Sequence, residues 1–583
     1  MTGYPSKDKP WLKYYKPDVE KTAVPHHSIY QAIKESNKNR LNRVALDLRS
    51  SSNDYKKGIK VTYRQCFQRM EEVAKAYSVM GVKPDEIIIT ILPNIPESRI
   101  AIYGLNIIGA TVYPVSPMTS SAQLSQIIKE CNTHHLIVFT GFLEKYRQVL
   151  NENDLDSVVC VTGFESLPYL AQWLNKSKEE DAIKSIQEIQ NAYTWNDLIR
   201  MGKQFKGELA PYYSREHTAI IVGTSGTTGV PKGVCLTDDN LNAIALQHGL
   251  SGILDEEDVM LDALIQSIGY GISTMHYSTY YGYKVILIPE LLTERFPEVL
   301  CRTKPDHFTG GPVHCQYLVR SSEFQNGKLP NMKNLVSGGA SLPKEVEKTI
   351  NKVGEGFSEG GMQDLKIVVR QGCGATENGG CGAYACPGAY KFGGLGIPLP
   401  LDTISVFKEG TDTECQYGEE GEICICGPTV MKEYFHNAAE TEIVLKKHKD
   451  DTIWLHTADM GYMDEDGQVF LTGRIKDIFM RNGFNVHPSK IEEFINTLPE
   501  VQECKVIGIE HTEEQKVPVA FVVISNDFKD NNKEDLIRSL GNVCFNNLEE
   551  MSVPYNWVFV ETLPRNIGGK VDVNALKKQY LGL

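Results

Sequence analysis

The stretch Thr224-Ser225-Gly226-Thr227-Thr228-Gly229-Val230-Pro231-Lys232-Gly233 combines three glycines, four hydroxyl residues and one lysine within ten positions. It follows the apolar run Ala219-Ile220-Ile221-Val222, which predicts a short buried strand. Glycines let backbone N–H groups turn toward an anion, hydroxyl side chains add further donors, and Lys232 supplies a mobile positive charge. The stretch therefore predicts a polyphosphate-binding loop rather than a plain glycine-rich turn, although its spacing is not that of a Walker A loop.

The composition is that of an ordinary globular protein with several subdomains. The chain has 583 residues, of which 41% are hydrophobic and 23% charged. The formal charge of −14 argues against a general affinity for nucleic acid or anionic membranes. The first residues contain no apolar signal-peptide core, and no apolar run reaches the length of about 18 residues that spans a membrane.

The cysteines point to a reducing compartment. There are 14 of them, scattered over strand-like and loop-like segments rather than spaced as a disulfide framework. Cys373, Cys381 and Cys386 match no zinc spacing. We therefore expect a cytoplasmic protein without structural disulfides.

Hydrophobic periodicity predicts alternating strands and helices in the first 140 residues. A helix opens at Thr62-Tyr63, a strand buried on both faces covers 87–92, and a helix begins at Pro96. This alternation predicts a doubly wound α/β sheet. Segment 165–207 is polar and predicts a solvated helical excursion, while Asp238-Asp239-Asn240 offers N-caps for a later helix.

The pattern changes in the last third of the chain. Past about residue 415 the strands become shorter and are separated by turns. After Gly473 a last α+β unit is predicted, with a helix near 489–497, strands near 503–509 and 518–524, and a helix near 532–541.

Three further motifs carry charged or small residues at strand ends. Gln371-Gly372-Cys373-Gly374-Ala375-Thr376-Glu377 places a carboxylate after a glycine-rich turn, as a magnesium ligand would require. Ser337-Gly338-Gly339-Ala340-Ser341-Leu342 is a small-residue turn against which a flat base can lie. In the segment Leu455-His456-Thr457-Ala458-Asp459 the carboxylate of Asp459 can accept ribose hydroxyls, and Arg474 can fork onto a ribose or a phosphate.

Together these motifs closely resemble those of the adenylate-forming superfamily, which includes acyl-CoA synthetases, luciferases and peptide-synthetase adenylation domains. The resemblance covers nearly the whole chain, with five motifs in the family's order, the last being Pro564-Arg565-Asn566-Ile567-Gly568-Gly569-Lys570. Two departures stand out: Cys373 replaces the aromatic residue that packs against adenine, and Ala458 replaces a glycine.

The resemblance implies a fold and its division. We expect an α/β protein with a large N-terminal domain over 1–474, made of doubly wound sheets and a distorted β-barrel-like part. A small, mobile α+β domain is expected over 475–583, with its hinge near Lys476.

The resemblance also implies roles for individual residues. Lys570 is expected to be the catalytic lysine, assisted by Arg474 and Lys232, and Glu377 is expected to bind Mg²⁺. Gly483 is expected to line a CoA channel. The expected ATP-binding residues are Thr224, Ser225, Gly226, Thr227, Thr228, Gly229, Gly338, Gly339, Ala340, Gly372, Cys373, Gly374, Ala375, Thr376, Asp459 and Arg474.

The implied function is an AMP-forming acyl-CoA ligase. A carboxylic acid would react with MgATP to give acyl-AMP and pyrophosphate, and the thiol of coenzyme A would then displace AMP. The acyl pocket is expected to include Gln266, Tyr270 and Gly311. Many family members carry histidine where Gln266 stands. The glycines around these positions leave space, which favours a sizeable apolar or ring-bearing acid over acetate.

Two alternatives remain open at this point. The acceptor could be a separate carrier protein, although the sequence ends at Leu583, 13 residues after Lys570, and a fused carrier domain is therefore not expected. The chain could also be a catalytically silent nucleotide-binding or scaffold protein, a reading supported by Cys373 and Gln266 only. We expect neither nucleic-acid partners nor a transmembrane segment.

Overall fold

The protein is described here by a computed structural model. It describes residues 1–51, 54–163, 165, 184–224, 232–253, 257–290, 294–326, 332–340, 342–358, 369–565 and 570–582. Among these residues, no helix is both long enough and apolar enough to cross a membrane.

The strands of the described residues are numbered in chain order. Those before residue 400 are β1 Val44–Leu48, β2 Ile59–Thr62, β3 Ile87–Ile91, β4 Thr111–Pro114, β5 His135–Phe139, β6 Ser157–Val161, β7 Ala192–Thr194, β8 Thr218–Gly223, β9 Gly233–Thr237, β10 Val259–Asp262, β11 Lys284–Leu287, β12 His307–Gly310, β13 Asn334–Ser337, β14 Val369–Cys373, β15 Ala383–Tyr384 and β16 Ile397–Pro398. Those after it are β17 Thr403–Phe407, β18 Gly421–Cys426, β19 Glu433–Tyr434, β20 Leu445–Lys447, β21 Ile453–Met463, β22 Val469–Arg474, β23 Phe479–Arg481, β24 Phe484–Val486, β25 Val501–His511, β26 Gln515–Ile524 and β27 Asn556–Phe559.

The α-helices are numbered in the same way. They are α1 Pro5–Asp8, α2 Ile29–Ser36, α3 Tyr63–Val79, α4 Pro96–Ile107, α5 Ser121–Cys131, α6 Leu143–Glu152, α7 Trp195–Gln204, α8 Asp238–Leu250, α9 Gly269–Tyr280, α10 Phe296–Thr303, α11 Pro312–Arg320, α12 Ser322–Gln325, α13 Lys344–Ser358, α14 Ala438–Val444, α15 Pro488–Ile495, α16 Lys533–Asn547 and α17 Val573–Leu581.

Two large sheets, both parallel in their centres, form the main part of the protein. The nine-stranded sheet has the order β16-β15-β14-β13-β12-β10-β11-β1-β2, and the eight-stranded sheet has the order β19-β9-β8-β4-β3-β5-β6-β7. Antiparallel pairs occur only toward the ends of each sheet, as between β1 and β2 and between β8 and β9. The predicted doubly wound sheets are therefore confirmed.

The β-branched run of β3 shows why the central strands are parallel and buried. Ile88 packs into the main hydrophobic core, whereas Ile89 and Ile91 pack into a second core on the opposite face of the sheet. Successive strand residues point to opposite faces, so a strand that is apolar at every position requires helices on both sides.

Helix α4 lies between the two large sheets, and all twelve of its residues are buried. Ile100 of α4 shares the main core with Val112 of the eight-stranded sheet and Val285 of the nine-stranded sheet. Arg99, also on α4, places Nη2 at 2.5 Å from Oδ2 of Asp262 at the end of β10. This buried ion pair fixes α4 against the nine-stranded sheet.

A third, curled sheet follows in the chain and corresponds to the predicted barrel-like part. Its order is β17-β18-β21-β20, with β22 paired to β21. Two register shifts, between Glu422 and Cys424 and between Met460 and Gly461, interrupt the ladders on β21. Such irregularities bend a strand and increase its twist, which lets β21 pair with three neighbours.

The C-terminal part has its own sheet, as predicted. Its order is β24-β23-β26-β25, with β27 running parallel to β26. One face packs on α15 and α16 through residues such as Ile491 and Leu540, and the other face packs on α17 through Leu576. The predicted boundary between residues 474 and 475 and the mobility of this part stay predictions.

Several local predictions hold, and others need correction. Helix α3 begins after Thr62, whose hydroxyl accepts the Gln65 N–H, and β3 and α4 begin as expected. The N-cap of α8 is Thr237 rather than Asp238, because Thr237 Oγ1 accepts the Asn240 N–H at 3.1 Å. Helix α16 runs six residues beyond its predicted end. The predicted excursion, 165–207, also contains strand β7, and its residues 166–183 lie outside the described residues.

We predict that removing Arg99 destabilises the N-terminal part strongly. The Arg99→Ala variant leaves Asp262 as an uncompensated charge in the interior, so the free energy of unfolding should fall by about 3–5 kcal/mol. The measurement is urea unfolding followed by circular dichroism.

The matched control is Arg200→Ala, which breaks the exposed ion pair of Arg200 with Asp197. Its effect should stay below about 1 kcal/mol, because exposed pairs contribute little. Equal small losses in both variants would contradict the importance of the buried pair.

Candidate active site

A pocket lies at the carboxyl ends of the parallel strands β12, β13 and β14. In an open parallel sheet this edge is where ligands bind. The predicted nucleotide residues Gly338, Gly339 and Gly374 line the pocket, together with the predicted acyl-pocket residue Tyr270. The complete lining is His248, Ile253, Tyr270, Tyr277, Thr309, Asn334, Val336, Gly338, Gly339, Gly372, Cys373, Gly374, Gly380, Cys381, Ala383, Tyr384 and Leu399.

Glycine is required at two positions of this wall because the backbone approaches other groups closely. A Cβ atom on Gly374 would lie 2.3 Å from the carbonyl carbon of Gly380. A Cβ atom on Gly338 would lie 3.1 Å from the ring of Tyr270. The glycines therefore let the turns after β13 and β14 pack against their neighbours while bordering the pocket.

The predicted metal ligand Glu377 sits in a short 3₁₀ turn, Thr376–Asn378. The hydroxyl of Tyr434 donates to Glu377 Oε1 at 2.6 Å, and the Met431 N–H donates to the Glu377 carbonyl at 2.7 Å. Tyr434 belongs to the two-residue strand β19, which pairs with β9 next to the predicted phosphate loop. A tyrosine in so short a strand has no spacing signal, and the sequence analysis missed it.

The ends of the predicted phosphate loop lie together. The Thr224 N–H donates to the Lys232 carbonyl at 2.9 Å, at the base of the antiparallel pair β8 and β9. Lys232 Nζ lies 2.6 Å from Oε2 of Glu440 and 5.3 Å from the ring centroid of Tyr434. The predicted loop residues between them, Ser225, Gly226, Thr227, Thr228 and Gly229, lie outside the described residues.

Asp459 and Arg474 are paired by the register of the curled sheet. They face each other across β21 and β22, and Arg474 Nε lies 2.7 Å from Asp459 Oδ1. Burial raises the pKa of Asp459, and the positive charges of Arg474 and Lys570 oppose this shift. The predicted ribose ligand and the predicted phosphate ligand are thus one ion pair.

Lys570, the predicted catalytic residue, approaches this ion pair from the C-terminal part. Burial lowers the pKa of Lys570 below its ordinary value, and Arg474 lowers it further. Asp459 and Glu377 act in the opposite direction. Lys570 is therefore close enough to interact electrostatically with charged groups on both the curled sheet and the Glu377 turn. Its catalytic role stays a prediction.

The other predicted acyl-pocket residues lie apart from this lining. Gln266 is buried, and its Nε2 donates to Asn94 Oδ1 at 3.0 Å. Gly311 caps α11, and the nearest group to an added Cβ would be the Gly338 carbonyl at 3.7 Å. Neither residue is part of the pocket wall, so their acyl-binding role stays a prediction.

Polar aromatic groups line the pocket at positions that the sequence analysis did not single out. The His248 ring lies 4.2 Å from the Tyr277 ring, and its Nε2 is 3.3 Å from Cys381 Sγ. Burial lowers the pKa of His248 to about 4, so this ring is neutral near pH 7. The hydroxyl groups of Tyr277 and Thr309 lie 3.3 Å apart. His248, Tyr277 and Thr309 come from α8, α9 and β12, and only the fold brings them together.

Ala458, next to Asp459, has a left-handed backbone conformation with φ of +58°. Its N–H donates to Glu422 Oε1 at 3.0 Å, which holds the conformation in place. A side chain with Cβ is disfavoured in this region by roughly 1–2 kcal/mol. The glycine expected from the resemblance would avoid this strain.

We predict that Ala458→Gly raises the free energy of unfolding by about 1 kcal/mol, because the backbone strain disappears. Thermal unfolding measures the change. As a control, Ala122→Gly places glycine at an exposed position of α5, where no strain is relieved, and should lower stability. A loss of stability in both variants would contradict the assignment of strain.

Two family models and several known proteins match this chain. Residues 33–435 match the family model "AMP-binding enzyme", and residues 490–570 match "AMP-binding enzyme C-terminal domain". The chain is similar to a long-chain-fatty-acid–CoA ligase of Bacillus subtilis (strain 168), at 27% identity over 97% of this chain and 96% of that protein. It is also similar to the probable 4-coumarate–CoA ligase 1 of Dictyostelium discoideum, at 29% identity over 79% of this chain and 80% of that protein.

Solved structures share the fold. The anthranilate CoA ligase AuaEII in complex with anthranoyl-AMP matches with a TM-score of 0.77 at 20% identity, over 97% of this chain and 100% of that one. ATP-bound MatB from Rhodopseudomonas palustris matches with a TM-score of 0.76 at 20% identity, over 95% of this chain and 99% of that one. The predicted fold class and the predicted class of enzyme, an AMP-forming ligase, are confirmed. One family model covers residues 33–435, which is most of the length of this chain. The chain therefore belongs to the family of AMP-binding enzymes.

Proposed function

We propose that the chain activates a carboxylic acid with MgATP to form acyl-AMP and pyrophosphate, and then transfers the acyl group to the thiol of coenzyme A with release of AMP. The observation that carries this proposal is the electrostatic interaction of Lys570 with the Arg474–Asp459 ion pair and with Glu377, which follows the pocket residue Gly374 by three positions. The similarity to CoA ligases supports the same acceptor.

In the first step the acid's carboxylate attacks the α-phosphorus of ATP, and the bond to pyrophosphate breaks. Lys570 places a positive charge where negative charge develops on the α-phosphate oxygens. Arg474 binds a ribose or phosphate oxygen, and Asp459 accepts hydrogen bonds from the ribose hydroxyl groups. Preorganised charges of this kind stabilise the transition state without a covalent enzyme intermediate.

Glu377 fits the role of a magnesium ligand. Mg²⁺ prefers hard oxygen ligands and few of them from protein, and Tyr434 orients the Glu377 carboxylate by donating to one of its oxygens. When bound, the ion neutralises phosphate charge on ATP. Lys232 Nζ lies 5.3 Å from the ring centroid of Tyr434, at the end of the predicted phosphate loop, so we assign to it the β- and γ-phosphates.

The second step requires Lys570 to leave the site so that a thiol can enter. We propose that the C-terminal domain, residues 475–583, rotates about Lys476. This residue lies in the 3₁₀ turn Ile475–Asp477, which connects β22 of the curled sheet to β23 of the C-terminal sheet. Gly483, with φ of +83°, and the exposed side chains of Met480 and Phe484 would then line the thiol channel. Such a rotation separates the two half-reactions.

We propose a ring-bearing or otherwise sizeable acid as the substrate. The pocket wall carries the aromatic side chains of Tyr270, Tyr277 and Tyr384 and the neutral ring of His248, which suit a planar or extended group better than acetate.

The test is AMP formation with MgATP and CoA over carboxylic acids graded from acetate to long-chain and aromatic acids. We expect AMP formation that requires both the acid and CoA and that is fastest with ring-bearing acids. AMP formation without a CoA requirement would favour a carrier-protein acceptor. If no acid led to AMP formation although ATP still bound, the proposal would be contradicted. A silent nucleotide-binding protein would then be favoured.

We predict that Lys570→Ala separates the two half-reactions. The rate of acyl-AMP formation should fall by at least about 10²–10³-fold, because one preorganised positive charge is lost. Thioester formation from supplied acyl-AMP and CoA should keep its rate, because Lys570 has left the site in that step. Stopped assays of pyrophosphate release and of thioester formation measure the two rates.

The control for this variant is Lys577→Ala, which removes an exposed lysine of α17. Both half-reactions should be unchanged there. Equal losses of the two half-reactions in Lys570→Ala would argue against the domain rotation.

A further inference from the structure

A buried cluster of metal-ligating side chains lies on one face of the curled sheet, outside the pocket. Cys424 of β18 stands directly opposite His456 of β21, and Glu422 lies two residues before Cys424 on the same face. One ligand atom of each of these three residues lies within 4.8 Å of the others, and all three residues are buried. The other face of β18 points Ile423 and Ile425 into the main core.

A second histidine extends the cluster. His448, also buried, places Nε2 at 3.0 Å from His456 Nε2. It lies just after β20, in the turn that leads to β21, and is followed there by the exposed side chains of Lys449, Asp450 and Asp451. The cluster therefore combines two imidazoles, a thiol and a carboxylate, and its outermost member, His448, directly precedes an exposed turn.

The hydrogen bonds orient His456 as they would orient a metal ligand. Its Nδ1 lies 2.7 Å from Glu422 Oε2, and since a carboxylate can only accept, Nδ1 carries the proton. The lone pair of a neutral His456 is therefore on Nε2 and points toward His448. A histidine that donates its other ring nitrogen to a carboxylate is the usual arrangement at protein metal sites.

The separation of the two Nε2 atoms is close to what one ion would require. Two nitrogens bound tetrahedrally at about 2.0–2.1 Å lie about 3.3–3.4 Å apart. The observed 3.0 Å is a few tenths of an ångström shorter, as a hydrogen bond between two rings requires. A small outward shift of His448, which lies in a turn, would admit the ion.

We propose that this cluster is a zinc-binding site, with His448 Nε2, His456 Nε2 and Cys424 Sγ as ligands and Glu422 as the carboxylate that orients His456. Two imidazoles and one thiolate form a borderline-soft set that suits Zn²⁺ and Co²⁺ better than Mg²⁺ or Ca²⁺. On binding, the proton between the two rings moves to Nδ1 of His448, the thiol proton leaves to solvent, and water completes the coordination.

The site would act next to the catalytic ion pair. The second oxygen of Glu422 accepts the N–H of Ala458, the residue before Asp459. An ion that fixes His456 and Glu422 would therefore fix the strained turn that carries Asp459. The competing explanation is a hydrogen-bonded chain from His448 through His456 to Glu422 that binds no ion.

The test uses the full-length protein, freed of metal with a chelator and kept reduced, and titrated with Co²⁺. We expect one equivalent to bind, with visible bands of tetrahedral cobalt and a near-ultraviolet band from thiolate to cobalt. One equivalent of Zn²⁺ should abolish both. A wild-type protein without a stoichiometric thiolate–cobalt band would overturn the proposal, whatever the variants do.

Variants assign the ligands. Cys424→Ser should remove the thiolate–cobalt band, and His448→Ala should weaken binding at least 10-fold, with folding checked by circular dichroism. The matched control is Cys426→Ser, which changes a thiol on the same face of β18. It should keep the band and the stoichiometry. A band that persists in Cys424→Ser would overturn the assignment.

Discussion

The ion pair between Arg474 and Asp459 is the interaction on which the rest of the candidate site depends. The antiparallel register of β21 and β22 sets it, and the left-handed backbone of Ala458 directly precedes Asp459. Both side chains are charged, and Asp459 is partly buried, so nearby groups of opposite charge stabilise them. Lys570 of the C-terminal part supplies a positive charge, and Glu377 in the turn after β14 supplies a negative charge. One electrostatic centre thus joins three separate regions of the chain.

Backbone geometry explains why the pocket lies beside that centre. The parallel strands β13 and β14 end at one edge of the nine-stranded sheet, and the glycines after them let the chain turn without filling the space. Helix α4, fixed by Arg99 and Asp262, fills the space between the two large sheets. The part of the molecule that contains the two large sheets therefore holds the pocket, while Lys570 comes from the C-terminal part, which follows the 3₁₀ turn Ile475–Asp477.

The sequence could predict the features that depend on local patterns of residues. The buried run of β3 and the start of α3 at Thr62-Tyr63 depend on neighbours in sequence, and both were predicted. The polar aromatic wall around His248 was not, because its residues lie on three separate elements and have no common spacing. Tyr434 was missed for the same reason, since its role depends on the pairing of β19 with β9. Helix α16 continues past its predicted end because packing against the sheet outweighs weak local signals.

The proposed chemistry requires that one site combine acid activation with ATP cleavage before any thiol arrives. The measurement that tests this most directly is exchange of labelled pyrophosphate into ATP in the absence of coenzyme A, with a ring-bearing acid as substrate. We expect exchange that depends on the acid and on magnesium and that is lost in Lys570→Ala. Acid-independent exchange, or no exchange by a protein that binds ATP and the acid, would contradict it.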